Sequence, residues 1–199
     1  MTTLSTTLMQ TTCPNATRVA ILGAESTGKT TLCQDLVRHC RQDLHINAKW
    51  VVEYTRPYAE AKFDRGEGII DWGDLLPIAI GQMQAENEAC KMVSEQGGGL
   101  VFCDTSLFEI MVYSYLYFDA CPTPIEQAVE QLYYDLIVLT GLSVPWQADN
   151  VRESPHGREA TDASFVEALS LHNLDYVRID GGRKERVQRI TELLKLNRT

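Results

Sequence analysis

The stretch Gly23-Ala24-Glu25-Ser26-Thr27-Gly28-Lys29-Thr30 constrains this chain more than any other. It fits the pattern G-x-x-x-x-G-K-[ST] at every fixed position. Before it, Arg18-Val19-Ala20-Ile21-Leu22 is a short apolar, partly β-branched run that reads as a buried strand. After it, Leu32, Leu36, Val37 and Cys40 recur at helical spacing, so a helix opens at the glycine loop and runs over about 29–42. Strand, glycine-rich loop and helix is the order that phosphate binding requires. The glycines let backbone N–H groups turn inward around a polyphosphate, and the helix N-terminus adds its partial positive charge. A nucleoside triphosphate, ATP, is therefore expected here, held by Gly23, Glu25, Ser26, Thr27, Gly28, Lys29, Thr30 and Thr31. Lys29 is expected to reach the β- and γ-phosphates as an exposed loop lysine with little packing role. The Thr30 hydroxyl is expected to help hold Mg²⁺.

Composition narrows what such a site can serve. A chain of 199 residues has one α/β domain as its default, and the net charge of −9 argues against a broad nucleic-acid surface. A local cluster of Lys and Arg can still bind a small anion inside an acidic protein. The six cysteines (Cys13, Cys33, Cys40, Cys90, Cys103, Cys121) form no C-x-x-C pair and no metal-ligand spacing, so they read as reduced thiols of a cytoplasmic protein. No apolar run is long enough to span a membrane. Residues 1–16 are Thr-rich without the basic start or apolar core of a signal peptide and read as a mobile tail, leaving 17–199 as a single domain.

Along that domain, strand and helix signals alternate. Residues 48–52 read as a second strand running into Glu53-Tyr54-Thr55-Arg56, and 64–68 as a glycine-containing loop. From Asp74, one largely apolar face persists over Leu76, Ala79, Ile80, Met83, Cys90 and Val93, with Pro77 tolerable in the first turn. Gly97-Gly98-Gly99 stops that helix, and residues 100–103 form a third buried strand ending at Asp104. A helix is read over 107–118, and another starts at Thr123-Pro124-Ile125-Glu126 with Thr as N-cap, Pro at N1 and Glu at N3. Residues 135–140 give the fourth strand and 174–179 the fifth. Between them, about 141–160 is too long for an ordinary connection and reads as a lid, with Thr161 capping the next helix. A last amphipathic helix covers 183–196. Alternation of this kind predicts a three-layer α/β sandwich around a mostly parallel sheet.

Several residues then fall where chemistry is expected, since ligands of open α/β sheets gather outside the carboxyl ends of the strands. Asp104 can hold Mg²⁺ there, opposite Thr30, or cap the following helix; the two roles are compatible. Glu53 and Arg56 end the second strand. Glu53 is a candidate base and Arg56 a candidate phosphate or hydroxyl ligand, against the alternative of a surface ion pair. Arg152 and Arg158 lie in the lid segment, where an arginine can neutralise charge in a phosphoryl-transfer transition state. Trp72 and Trp146 are in or beside loops, where each either stacks on a ligand ring or pins its loop to the core.

Taken together, the glycine loop, Glu53-Tyr54-x-Arg56-x-Tyr58, Asp104-Thr105, Tyr134-Asp135-Leu136 and Pro145-Trp146-x-Ala148-Asp149-x-x-Arg152 resemble one family. It is the ribosylnicotinamide-kinase-like P-loop proteins, which include the kinase domain of a bifunctional bacterial NAD-salvage regulator, and the resemblance covers about residues 17–195. It implies sheet order 2-3-1-4-5, transfer of the ATP γ-phosphate to a nucleoside 5′-hydroxyl with Mg²⁺, and a substrate site that includes Tyr54 and Asp149 as well as Glu53, Arg56, Trp72 and Trp146. The sequence shows no adenylyltransferase or helix-turn-helix region, so a stand-alone kinase is expected. The chain departs from the family twice. Ser106 stands where a second carboxylate is expected, and Val52 where an aromatic residue would help sandwich the nicotinamide ring; both changes are expected in the acceptor pocket. Two functions remain: a Mg²⁺-ATP-dependent kinase of a small-molecule nucleoside, nicotinamide riboside first, or a P-loop regulatory ATPase that switches a partner. Neither reading gives the protein a nucleic-acid or membrane partner.

Overall fold

The computed structural model describes residues 8–145 and 155–196, so Trp146, Asp149 and Arg152 lie outside the described residues. Strand β1 (Ala16–Leu22), which feeds the glycine loop, is the middle of a five-stranded sheet of order β2-β3-β1-β4-β5. Its neighbours are β3 (Gly99–Asp104) and β4 (Leu136–Thr140), with β2 (Ala48–Val51) and β5 (Val177–Ile179) outside them, and every pair is parallel. The order is the one that the family resemblance implies.

Side-chain alternation explains the layers. From β1, Val19 and Ile21 pack with Leu32, Cys33 and Leu36 of helix α1 (Lys29–Gln42) and Ile190 of helix α7 (Arg183–Leu193). Ala20 and Leu22 point the other way, into a core built by α3 (Leu75–Glu95), α4 (Leu107–Phe118), α5 (Thr123–Val129) and α6 (Pro155–Leu171). The strands are thus buried on both faces, as parallel sheets require. Their carboxyl ends, with the turns that follow, form one edge where the site sits.

Four local expectations change. The residues between the strand exit and the loop at 64–68, for which periodicity marks no element, form helix α2 (Thr55–Asp64). It is held by Lys62, which is 5% exposed yet makes ion pairs with Asp71 and Asp74, while the Tyr58 hydroxyl donates to Asp74 at 2.9 Å. Its own amphipathic pattern is weak, so tertiary pairing supplies what periodicity could not show. Helix α5 starts one residue early, with Pro122 at the N-cap and no side-chain cap from Thr123. Thr161 does not cap α6; it lies inside it, its hydroxyl donating to the Gly157 carbonyl at 2.9 Å.

Residues 8–16, read as part of a mobile tail, are also held against the domain. Leu8 is buried in the core, Asn87 exchanges hydrogen bonds with Met9 and Thr11, and the Arg18 guanidinium donates to the Thr11 carbonyl at 2.7 Å. These side chains satisfy backbone groups that a solvated tail would leave to water.

Candidate functional site

The phosphate loop is built by contacts that only its own residue types allow. Gly23 has φ +141°, and a Cβ there would lie 2.3 Å from Thr140 Oγ1, so β4 approaches too closely for any side chain. Gly28, at φ 83°, is the left-handed residue from which α1 starts. Thr27 is 1% exposed, donates to the Ala24 carbonyl at 2.8 Å, and sets its hydroxyl 2.7 Å from that of Thr140. Arg186 of α7 holds the loop from behind. It is 3% exposed and donates to the Thr27 carbonyl at 2.7 Å, the Gly181 carbonyl at 3.0 Å and Ser143 Oγ at 3.1 Å.

Lys29 is the first residue of α1 and not an exposed loop lysine. Its side chain is 11% exposed; Nζ donates to the carbonyls of Gly23 at 2.6 Å and Ala24 at 3.2 Å, and lies 3.2 Å from Glu109 Oε1. Burial pulls its pKa down, but Glu109, Glu53 and Asp104 more than offset that and leave it above the ordinary lysine value. Glu109 is the functional residue that sequence reading missed. It lies in the first turn of α4, where an apolar run hides a single carboxylate, and its Oε2 accepts the Gly23 N–H at 3.3 Å. Burial raises its pKa to about 7, against the pull of Lys29 and with the help of Glu53. Thr105, at φ 77°, bends the chain between β3 and α4 and so aims this turn at the loop.

Asp104 ends β3 beside Ile21 of β1 and is 1% exposed; the Thr30 hydroxyl and the Trp50 ring N–H lie near its carboxylate, but neither makes a well-formed hydrogen bond to it. Burial pushes its pKa up, and Thr30 and Lys29 pull it back. A buried carboxylate without a well-formed hydrogen bond, facing a threonine hydroxyl at a phosphate loop, fits a hard divalent cation. Among the described residues no three His, Cys, Asp or Glu side chains form a metal cluster, so the remaining ligands would be phosphate oxygens and water.

Two cavities share the loop. One, of about 210 Å³, is lined by Glu25 to Thr31 together with Glu53, Arg56, Glu109, Tyr113 and Tyr117. The other, of about 540 Å³, takes Ser26, Gly28 and Thr31 from the loop, Val144 and Pro145 from the segment after β4, Gly181 and Gly182 from the turn before α7, and Arg183, the first residue of that helix. Glu53 and Arg56 thus face the loop as the strand-end argument expected. Tyr54 caps α2, its N–H donating to Gln82 Oε1 at 3.0 Å, and its ring lies against Gly81.

Other expected site residues are elsewhere. Trp72 stands edge-on to Phe118 at 5.9 Å and lines neither cavity; Tyr113 and Tyr117, stacked at 5.9 Å and 12°, take the aromatic place beside the loop. Ser106 is buried beside a separate cavity of about 150 Å³ with Phe108, Tyr134 and Leu174, so its missing carboxylate is no loss to the loop cavity. Val52 is exposed at the end of β2 and lines neither cavity. Arg158 is not on an open lid. It lies on α6, 7% exposed, and donates to the Val144 carbonyl at 3.1 Å.

A central parallel strand, a glycine loop wrapped onto the next helix, and a buried aspartate at the end of the adjacent strand define a P-loop nucleoside-triphosphate-binding domain. The chain belongs to the AAA domain family AAA_28, whose profile matches residues 18–186. It is 29% identical over 181 residues, 89% of this chain and 42% of the relative, to the trifunctional NAD biosynthesis/regulator protein NadR of Salmonella typhimurium (strain LT2). The chain spans about two-fifths of the length of the curated relatives it matches. A NadR protein solved in complex with NR superposes with TM-score 0.70 at 24% identity, over 93% of this chain and 53% of that one. Thymidylate kinase from Ehrlichia chaffeensis superposes with TM-score 0.62 at 14% identity, over 91% of this chain and all (100%) of that one. The fold is therefore shared with P-loop kinases. No described helix is long and apolar enough to cross a membrane, and all six cysteines are free thiols.

Proposed function

We propose that this protein is a Mg²⁺-ATP-dependent kinase that phosphorylates a hydroxyl of a small nucleoside, with nicotinamide riboside the leading acceptor. One observation carries the reading: a single phosphate loop forms a wall of two cavities, so that Ser26, Gly28 and Thr31 stand between them. A nucleotide switch needs one such cavity; a phosphoryl transferase needs a donor side and an acceptor side. The larger cavity, between α1 and the turn before α7, suits the adenosine of ATP. The smaller, with its carboxylates, arginine and stacked tyrosines, suits a polyhydroxylated acceptor with a ring.

In this reading the loop N–H groups and Lys29 hold the phosphates, while Glu53 and Arg56 place the acceptor; Tyr54 lines neither cavity and packs on α3 instead. Thr30 and Asp104 would hold Mg²⁺, which would partly neutralise the phosphate charge. Arg158 steadies the segment after β4 through the Val144 carbonyl, on the donor side. The relatives' printed names, NAD biosynthesis and a complex with NR, support nicotinamide riboside as the first acceptor to try.

The deciding experiment measures ADP release from MgATP with nicotinamide riboside, the common ribonucleosides and the deoxyribonucleosides. Stimulation by one compound, with product confirmed by mass, is the expected result. ATP hydrolysis that no acceptor stimulates would overturn the kinase reading in favour of a regulatory ATPase.

A further inference from the structure

Helix α4 brings to the phosphate loop a carboxylate that none of the recognised motifs contains. Glu109 is 3% exposed, and its two oxygens meet the first and last parts of the loop: Oε2 the Gly23 N–H at 3.3 Å, Oε1 the Lys29 ammonium at 3.2 Å. Two of the three N–H groups of the Lys29 ammonium donate to the Gly23 and Ala24 carbonyls at 2.6 and 3.2 Å, and the third faces Glu109. That pairing offsets the several kcal/mol that burying a carboxylate costs. The carboxylate also lines the cavity that holds Glu53, Arg56, Tyr113 and Tyr117. A group that touches the phosphate-binding lysine and opens onto the acceptor side stands where donor and acceptor meet.

We infer that Glu109 is the general base of the transfer, receiving the proton of the acceptor hydroxyl as that oxygen attacks the γ-phosphorus. This rests on the kinase reading above. The acceptor O–H bond breaks while its oxygen forms the new O–P bond. The bond from the γ-phosphorus to the bridging oxygen breaks, and its electron pair leaves with ADP. The proton stays on Glu109 until product departs and then passes to water. Lys29, shared between this carboxylate and the phosphoryl group, draws base and electrophile to one cation.

The electrostatics agree with the geometry. Burial lifts the Glu109 carboxyl to about 7, a strength suited to taking a proton near neutrality. The groups that face it are Lys29 and Cys33 from α1, Glu53 after β2, and Thr105 after β3; the Asp104 carboxylate also bears on Lys29 and Cys33. Glu53, half-exposed at the rim beside Arg56, is then an acceptor ligand and not the base.

The test compares wild type, Glu109→Gln, Glu109→Asp and Glu53→Gln in acceptor-dependent ADP release with nicotinamide riboside and the nucleoside panel, across about pH 5.5–9. Affinity for a fluorescent ATP analogue is measured in parallel. Glu109→Gln should lower kcat about 10²–10⁴-fold, leave analogue affinity nearly unchanged, and lose the acidic limb of the pH profile. Glu109→Asp should keep that limb at reduced kcat, and so decides the matter if the Gln variant does not fold. Glu53→Gln should raise the acceptor KM and also keep the limb. Full kcat in Glu109→Gln would overturn the inference and leave the kinase reading standing. Rate and analogue affinity lost together would make Glu109 only a positioning residue for Lys29, which also overturns it. A wild type without acceptor-stimulated turnover on any compound would overturn the kinase reading and this inference with it.

Discussion

Arg186→Leu should loosen the phosphate loop from the back. The guanidinium donates to carbonyls of Thr27, Gly181 and Gly141 at 2.7, 3.0 and 3.4 Å and to Ser143 Oγ at 3.1 Å, tying the loop to the ends of β4 and β5. Hydrogen bonds from a charged group are worth about 1.5–3 kcal/mol each, and three of these are short enough to count. Their sum overstates the loss, because burial already disfavours the charged guanidinium and lowers its pKa, a cost that leucine removes. A net destabilisation of about 2–4 kcal/mol is therefore expected. Urea denaturation followed by circular dichroism measures it directly. The KM for ATP should rise with it, since Arg186 also lines the larger cavity, while the acceptor KM changes little. Arg186→Lys keeps the charge but cannot span three acceptors, so it should recover only a minor part. An unchanged denaturation midpoint together with an unchanged ATP KM would refute the claim that this side chain organises the loop.

Lys29→Ala should abolish turnover and also lower stability, because it leaves Glu109 buried without its cation; calorimetry alongside the activity assay reads both. Asp104→Asn should raise the Mg²⁺ concentration needed for half-maximal rate, and an unchanged Mg²⁺ titration would reduce Asp104 to a structural residue. Gly81→Ala adds a Cβ 2.3 Å from the Tyr54 ring, so Tyr54 must swing away from α3. The displaced packing costs about 1–3 kcal/mol against a helix-propensity gain of about 1 kcal/mol, so the melting temperature should hold or fall; a clear rise would refute the close packing of Tyr54 on Gly81. For Glu109 the native pKa of about 7 lies above its ordinary value of 4.5, so its contribution to stability is full below that ordinary value and is lost as pH rises through about 7. The melting temperature of Glu109→Gln, relative to wild type, should accordingly be higher at pH 8 than at pH 5, and the opposite trend would contradict the raised pKa.

Residues that follow one another along the chain decided what could be read from the sequence. The glycine loop, the apolar run of β1 and the spacing of Leu32, Leu36 and Cys40 lie within one strand–turn–helix unit, so local periodicity and turn chemistry were enough to place the phosphate site and Asp104. Strand order was not local. It entered through family resemblance, because β1 pairs with β3 and β4, whose register depends on packing between distant segments. Helix α2 was invisible for the same reason, since Lys62, Asp71 and Asp74 hold it by ion pairs and not by an apolar stripe. The acceptor side was the least legible part. Glu109 lies in an apolar helix start that reads as core, and only the turn at Thr105 aims it at Lys29, 80 positions earlier in the chain (109 − 29). Ser106, three residues away, is not helical: it is the extended N-cap of α4 (φ −158°, ψ 176°) and lines a different cavity, so a missing carboxylate there says nothing about the loop cavity. Side chains three apart share a face only within a helix, so the bend at Thr105 and Ser106, which the surrounding fold sets, decides which residue meets the loop.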